Sequence, residues 1–520
     1  MKKPTYASFF PENSDKKIIA KLKSLVKQCG KEYAVIQERF RFPTLQLSSS
    51  AQTRLAEILV DFALDIHSGS GLWTALEKYN VDFFGTPLPL VVSPKAVLPS
   101  GICVERVQFL LWNLYPQLDP GRLLSNRHVD LLFAAAEVTK MLNGLLPSFP
   151  TVSPVKEFLD QPNDYGWEVK KKLIWLGMDS YLFRLFFEEF MNDAQDGDEY
   201  EGRSSIAVID DFICQHATPW AGLGANDILA ACLDISDEQR DEVRSWYLRH
   251  FSIYKIVKMD KEITEAVNLV TDVPYRIREG APSDSRKGHF RPNMTVYGGL
   301  VPWRGEWYWS GVQHDFTPLS AKDLATSLRK FKQNTQIVAR YWKERDEKVR
   351  QFAKECHQQA LASYGSDLTV LPNARAWEQA QIKWLTAHAK AKGHPGKIPR
   401  ITAPEAFQQC QTGIGVFLDP VEGQESMEHF NALRSGLKKN GKTCTSDEEE
   451  TIRDWIASAS ICPNFIHRAL KEYGGEESIK YAFRWDTDEP CWLDYLLRCR
   501  KGMYYRRRFP SVSLVDPNED

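Results

Sequence analysis

Residues Gly288–Phe316 read GHFRPNMTVYGGLVPWRGEWYWSGVQHDF, the densest run of strand-forming and aromatic residues in the chain, set between two long helical regions. β-Branched and aromatic side chains suit a pleated, half-buried surface. Met294–Pro302 and Glu306–Gly311 are therefore expected as strands, joined at Trp303-Arg304-Gly305 by a short glycine-containing connection. Alternation along the second strand puts Trp307 and Trp309 on one face and Glu306, Tyr308 and Ser310 on the other. Gly298-Gly299 interrupts the first strand, as a bulge or a sharp bend does. Upstream, Ile253–Met259 and Asn268–Val270 add strand candidates, and Thr271–Pro274 turns the chain into Tyr275–Arg278. About five strands in roughly sixty residues is the size of a small β-barrel.

The flanking sequence is helical. Leu55, Ile58, Leu59, Phe62 and Ile66 recur on one helix face, and Ser68-Gly69-Ser70-Gly71 ends that helix. Val107–Tyr115 is apolar nearly all round, the pattern of a central core helix. Further helices are expected over Val129–Leu146 and Leu182–Met191. The acidic, glycine-containing stretch Asn192–Glu201 reads as a surface loop at a domain boundary, without the spacing of a calcium loop. Helices then follow at Ile206–His216, Asn226–Leu233 and Ser236–Phe251, the last opened by the capping box Ser236-x-x-Gln239. Beyond the barrel, Ser320–Tyr364 carries an apolar edge through Leu324, Leu328 and Phe331, as one long helix or as two with a break near Asn334. Asp367–Leu371 and Gly413–Leu418 have strand length, with a helix over Trp377–Lys390 between them, which suits a βαβ-like or sheet-plus-helix domain. Ser446–Ala459 opens with a Ser-x-x-Glu cap. The class is α+β and mainly helical. A helical domain spans 1–191, a helical connector 202–252, a small antiparallel barrel 253–318, a long helix or helix pair 319–364, and an α+β domain 365–520.

Composition narrows the function classes. Of 520 residues, 43% are hydrophobic, enough for sizeable cores. Sixty-six basic against 68 acidic side chains give a net charge of −2, so no global field draws the chain to nucleic acid. No window approaches the apolar length of a membrane span, and the N-terminus lacks a signal-peptide core. Ten cysteines are scattered without a CxxC pair, the usage of reduced thiols in a cytoplasmic protein.

Several pieces carry a resemblance. IDDFICQH at Ile209–His216, FSIYKIV at Phe251–Val257, then LVTDVPYRI and LVPWRGEWYWSG, resemble a helix-plus-small-barrel module of several bacterial families. Some of those families also carry a SecA-tail-type cysteine/histidine metal motif; it is absent here, so the resemblance implies no zinc site. DIHSGSGLW, FFGTPLPLV and VQFLLWNLY within Leu55–Trp112 and Asp65–Tyr115, together with GIGVFLDPVEGQE, resemble an uncharacterised bacterial family, a domain of unknown function found mainly in Bacteroidetes. Neither resemblance implies an activity.

Candidate sites are few. Exposed barrel aromatics beside Arg286, Lys287, Arg291 and Arg304 would stack bases or grip a peptide, yet Trp307 and Trp309 read better as filling the barrel. Arg304, Tyr308 and His314 are the better working surface. Asp419, Glu422 and Glu425, read as lying at the end of a strand and the start of a helix, would converge on a divalent metal or simply favour that helix N-terminus, and the second is preferred. Asp210 and Asp211 diverge on a helix by about 100°. His216, His314 and Cys356-His357 lack the rest of a catalytic triad, and no GxSxG, HExxH or Walker loop occurs. The basic tail Lys501–Arg508, with Arg506, Arg507 and Arg508, suits phosphate contacts or merely a surface turn. The expectation is a non-enzymatic docking protein with a protein partner, no cofactor and no membrane contact. A nucleic-acid-binding protein and a metal-dependent hydrolase are the alternatives.

Overall fold

The structure, a computed structural model, describes every residue except 1–4, 41–44, 95, 120–123, 197–203, 280–289, 317–319, 334–342, 394–399, 440, 507–509 and 511–520. Helix makes up 60% and strand 12%, which fixes the mainly helical α+β class. Two compact units emerge. One comprises Met1–Asn268, Pro274–Pro318 and Trp485–Gly502; the other comprises Leu269–Val273, Leu319–Arg484 and Met503–Asp520.

The first unit opens with helices α1 (Lys16–Phe40), α2 (Ser49–Ser68), α3 (Leu72–Phe84), α4 (Val104–Leu118) and α5 (Val129–Leu145). Next come α6 (Pro154–Leu159), α7 (Gly166–Asp179), α8 (Arg184–Asp196), α9 (Ser205–Gln215), α10 (Ala225–Cys232) and α11 (Asp237–Ser245). Leu55, Ile58, Leu59 and Phe62 are fully buried, and so is most of α4 from Val107 to Tyr115, as the apolar patterns require. Ser68–Gly71 does stop α2, through left-handed Gly69 and Gly71. The buried Asp65 carboxylate then accepts the backbone N–H groups of Gly71, Leu72 and Trp73 and the Tyr181 hydroxyl, capping α3. α8 continues to Asp196, through much of the stretch expected as a loop. Asn192–Asp196 contains no glycine or proline to end the helix, and the rest of that stretch lies outside the described residues.

Five strands follow: β1 (His250–Met259), β2 (Ile263–Asn268), β3 (Pro274–Arg278), β4 (Thr295–Trp303) and β5 (Glu306–Phe316). The second strand lies before Asn268–Val270, because Ile263–Asn268 alternates correctly against β1. The pairing order β1-β2-β3-β5-β4 closes with β4 back on β1. Every seam is antiparallel except β3–β5, which is parallel and joined at Ile277–Trp307. Between β4 and β5 the turn is only Arg304-Gly305, with φ of 52° and 78°, the two-residue form that follows strand twist. The bulge exists, but its extra residues lie on β5: Tyr297 pairs with His314 and Gly299 with Ser310, so Gly311–Gln313 oppose Gly298 alone. Left-handed Gly311 makes that bend.

β5 divides into the two faces that its alternation gives. Trp307 and Trp309 share one face with Tyr254 and Tyr275, ring against ring, and stay half-exposed. The opposite face packs on helices: the Tyr308 ring lies where a Cβ on Gly166 of α7 would be, and the Ser310 hydroxyl donates to Asp210 of α9. Asp210 is the centre of a buried ion cluster. It takes Lys170 Nζ at 2.6 Å and the Arg249 guanidinium, which also reaches Asp211 at 2.5 Å. The two cations hold the Asp210 carboxyl well below the usual carboxylate range in spite of its burial.

The second unit contains α12 (Ala321–Gln333), α13 (Lys343–Tyr364), β6 (Leu368–Leu371), α14 (Ala374–Ala391), α15 (Glu405–Gln409), β7 (Ile414–Asp419) and β8 (Gly423–Met427). α16 (Phe430–Leu437), α17 (Ser446–Ala457), α18 (Pro463–Tyr473) and α19 (Glu476–Ala482) complete it, while α20 (Trp492–Lys501) returns to the first unit. The break expected near Asn334 lies outside the described residues. No βαβ crossover forms: β6, β7 and β8 make an antiparallel sheet in that order. Gly413–Glu425 is accordingly a hairpin, with Glu425 on β8 instead of at a helix start. The α17 cap is Thr445, paired reciprocally with Glu448.

Candidate functional site

Where α13 and α14 cross the end of β7, they leave a cleft of about 280 Å³. That is near the lower end of the roughly 300–1,000 Å³ typical of small-molecule pockets. α13 presents Phe352, Cys356 and Ala360, spaced four apart and hence on one face. α14 brings Trp384 and His388 at the same spacing, and Leu418 with the Asp419–Gln424 turn closes the third side. The floor is continuous with a core of Ala360, Val416 and Leu418, against which Trp377 and Trp384 pack. Helix and sheet thus hold the lining residues on rigid elements.

Its polar groups are few and directional. Among the described residues the buried Trp384 indole N–H has no hydrogen-bond partner, which for a buried donor costs about 1–3 kcal/mol. His388 Nδ1 lies 2.6 Å from Gln359 Oε1. With Gln359 presenting its carbonyl, Nδ1 donates and Nε2 is an acceptor. Burial first, and Lys392 second, push His388 below its ordinary pKa and keep it neutral. Burial also holds the Cys356 thiol above its usual range, so it is no thiolate nucleophile at neutral pH. Lys392 lies over the Phe352 ring at 4.6 Å and pairs with Glu355 at 3.1 Å. The cleft therefore offers an apolar wall and, on the positioned His388 ring, one acceptor.

Of the residues singled out in the sequence, Cys356, His357 and Asp419 line this cleft; the others that are described do not. Arg286 and Lys287 lie outside the described residues, as do Arg507 and Arg508, while Arg506 is half-buried. Arg304 is exposed at its turn and pairs with Asp164 at 2.9 Å. His314 is exposed, its ring against Tyr297. Tyr308, expected on an open face, is only 5% exposed, because β5 turns that face to α7. Asp419 is buried and accepts the N–H groups of Val421 and Glu422 and the Asn464 amide, fixing the hairpin turn. Glu425 accepts the Cys462 N–H at 2.9 Å, so it does serve a helix N-terminus, that of α18, across space. Glu422 is half-exposed on the turn. Among the described residues, no three His, Cys, Asp or Glu side chains are gathered as a metal ion would need.

Trp384 and His388 were legible only as helix residues. Their four-residue spacing, matched by Phe352, Cys356 and Ala360 on α13, is the available signal, and it is shared by any pair of packed helices.

A family model described as "Protein of unknown function (DUF3843)" matches residues 47–218, all within the first unit. No curated protein and no solved structure matches the chain. Among the described residues no helix is long and apolar enough to cross a membrane.

Proposed function

We propose that the chain is a non-enzymatic binding protein whose second unit takes up a small, mainly apolar molecule bearing one hydroxyl. The observation that carries this is a neutral His388, its Nδ1 tied to Gln359, in a preformed apolar cleft. The proton of a ligand hydroxyl goes to His388 Nε2. The protonated Cys356 and the structural duties of Asp419 and Glu425 favour binding over chemistry. Free thiols throughout suit a bacterial cytoplasm.

Calorimetric titration with simple phenols, against the same rings lacking the hydroxyl, tests the reading. Phenols are expected to bind the full chain, and His388→Phe to weaken them about tenfold, the size of one hydrogen bond of ~1.5 kcal/mol. Equal binding of the hydroxyl-free rings, or affinity indifferent to His388→Phe, would overturn it.

Docking of a protein partner, with the closed five-stranded sheet acting as a small barrel beside it, is a second reading. It is favoured by the exposed Val129, Leu132 and Phe133 on α5 and Val35 on α1. A complex that survives Leu132→Asp with Phe133→Asp would place docking elsewhere. The nucleic-acid alternative has less support, since Arg304 is engaged by Asp164.

A further inference from the structure

The net charge of −2 hides an uneven distribution. Residues 320–400 hold 16 basic and seven acidic side chains, a surplus of nine, so the rest of the chain is acidic. That stretch supplies α12, α13 and α14 of the second unit. Its carboxylates do little to offset the remaining cations. Asp346 pairs with Arg350 and Glu355 with Lys392, Asp367 is taken by Arg468 from outside the stretch, and Glu378 is turned to the Ala403 N–H.

α14 shows what this leaves. Arg375, Gln379, Lys383, Thr386 and Lys390 are all exposed. At 100° per residue they fall within one arc of about 80°, on the side away from Trp384 and His388, which line the cleft. Glu378, the only acid of the helix, lies outside that arc. Successive cations are two turns apart, so the row from Arg375 to Lys390 runs about 22 Å. Lys383 donates only to the Ser363 carbonyl, at 3.1 Å, and none of the three cations forms an ion pair among the described residues. α12 repeats the pattern. Lys322, Thr326, Arg329, Lys330 and Gln333 are exposed within an arc of about 100°, with Lys322 and Arg329 again two turns apart. Its one acid, Asp323, is held by the Ser320 hydroxyl, and its exposed cations form no ion pair among the described residues.

This geometry selects among anions. A free phosphate reaches only one cation of a row spaced by two turns, whereas a polymer with charges at regular intervals meets them all. A bilayer surface needs apolar side chains to bury as well, and the α14 row borders a single exposed large hydrophobic residue, Ile382. Gln379 and Thr386, set between the cations, add hydrogen bonds of the kind that phosphate oxygens accept. We propose that the exposed rows of α14 and α12 bind the phosphate backbone of a nucleic acid without reading its sequence. The surface is separate from the apolar cleft and from Arg304, which Asp164 already engages.

The test is fluorescence anisotropy of the full chain with labelled DNA and RNA duplexes of mixed sequence, across a salt series. Binding should weaken steadily as salt rises and be indifferent to sequence. The triple change Arg375→Gln, Lys383→Gln and Lys390→Gln touches only exposed side chains. It should weaken binding at least about tenfold and lower the salt slope on the DNA duplex by about 2.7, three contacts at roughly 0.9 each. Lys16→Gln with Lys23→Gln and Lys27→Gln removes the same charge from exposed positions of α1 and should change affinity by less than about twofold. Phenol binding at the cleft should be the same in the α14 variant, so the two sites stand or fall separately. No binding to either duplex at low salt, a slope that the α14 variant leaves unchanged, or an equal loss in the α1 variant would overturn the proposal. Tighter binding of phosphatidylglycerol vesicles or of polyglutamate than of the duplexes would do the same, assigning the rows to a membrane or to an acidic protein.

Discussion

Glu425 is 7% exposed, and burial, aided by nearby Asp419 and Glu422, lifts its pKa to about 7. The Cys462 N–H pulls the other way and loses. A carboxyl raised in the folded state binds its proton more tightly there than in the unfolded chain. Its contribution to stability is therefore complete below about pH 4.5 and is lost as pH rises to about 7, on the order of 3 kcal/mol. Glu425→Gln keeps an acceptor for Cys462 and removes the titration. Thermal unfolding of that variant should lose the decline between pH 5 and 7.5 and exceed the parent at pH 8; a parallel decline would refute the assignment. The residue also shows where reading from sequence ends. Its acidity suggested service to a helix starting beside it; that stretch is a strand, and the N–H it accepts belongs to Cys462, 37 positions later, a pairing only the tertiary fold makes.

At the scale of elements, the junction of β5 with α7 and α9 rests on groups too close for substitution. A Cβ on Gly311 would stand 2.7 Å from Asp210 Oδ2, and the residue has φ of +71°. Gly311→Ala should cost about 1–3 kcal/mol through backbone strain, and more if Asp210 is pushed off Lys170 and Arg249. A lowered urea midpoint with unchanged slope would record it, and an unshifted midpoint would show the junction to be slack. The strands around this junction were readable because β-branched and aromatic runs and the Arg304-Gly305 turn are local signals. So was the division of β5 into two faces, since Trp307 and Trp309 pack on the buried Tyr275 and Tyr254. The burial of Tyr308 was not: the small Gly166 on α7 makes room for it, and nothing within β5 announces that. Likewise Asp210 looked like half of a carboxylate pair, while its partners Lys170, Arg249 and Ser310 come from three distant stretches.

For the whole molecule, the decisive piece is the returning segment Trp485–Gly502. Tyr495, 1% exposed, packs against Phe84, Phe109 and Trp112 and donates to Asn113 at 3.1 Å; Trp485 completes the cluster, 5.5 Å from Trp112 and 6.0 Å from Tyr495. Gly222 and Gly502 approach so closely that neither tolerates a Cβ. Tyr495→Ala is expected to destabilise the first unit by about 3–5 kcal/mol, read from its own unfolding transition. A fragment of residues 1–318 should unfold broadly and sharpen when a synthetic 485–502 peptide is added; sharp unfolding without the peptide would show the segment to be dispensable. The units themselves could be anticipated only up to the end of β5, since no local pattern in WDTDEPCWLDYLLRC declares which core receives it. The same threading has a bearing on biosynthesis. A ribosome delivers residues 319–484 as one continuous stretch, so the later-encoded unit can finish most of its folding first. The unit that begins the chain must wait, its aromatic core open to chaperones, until Gly502 has left the exit tunnel.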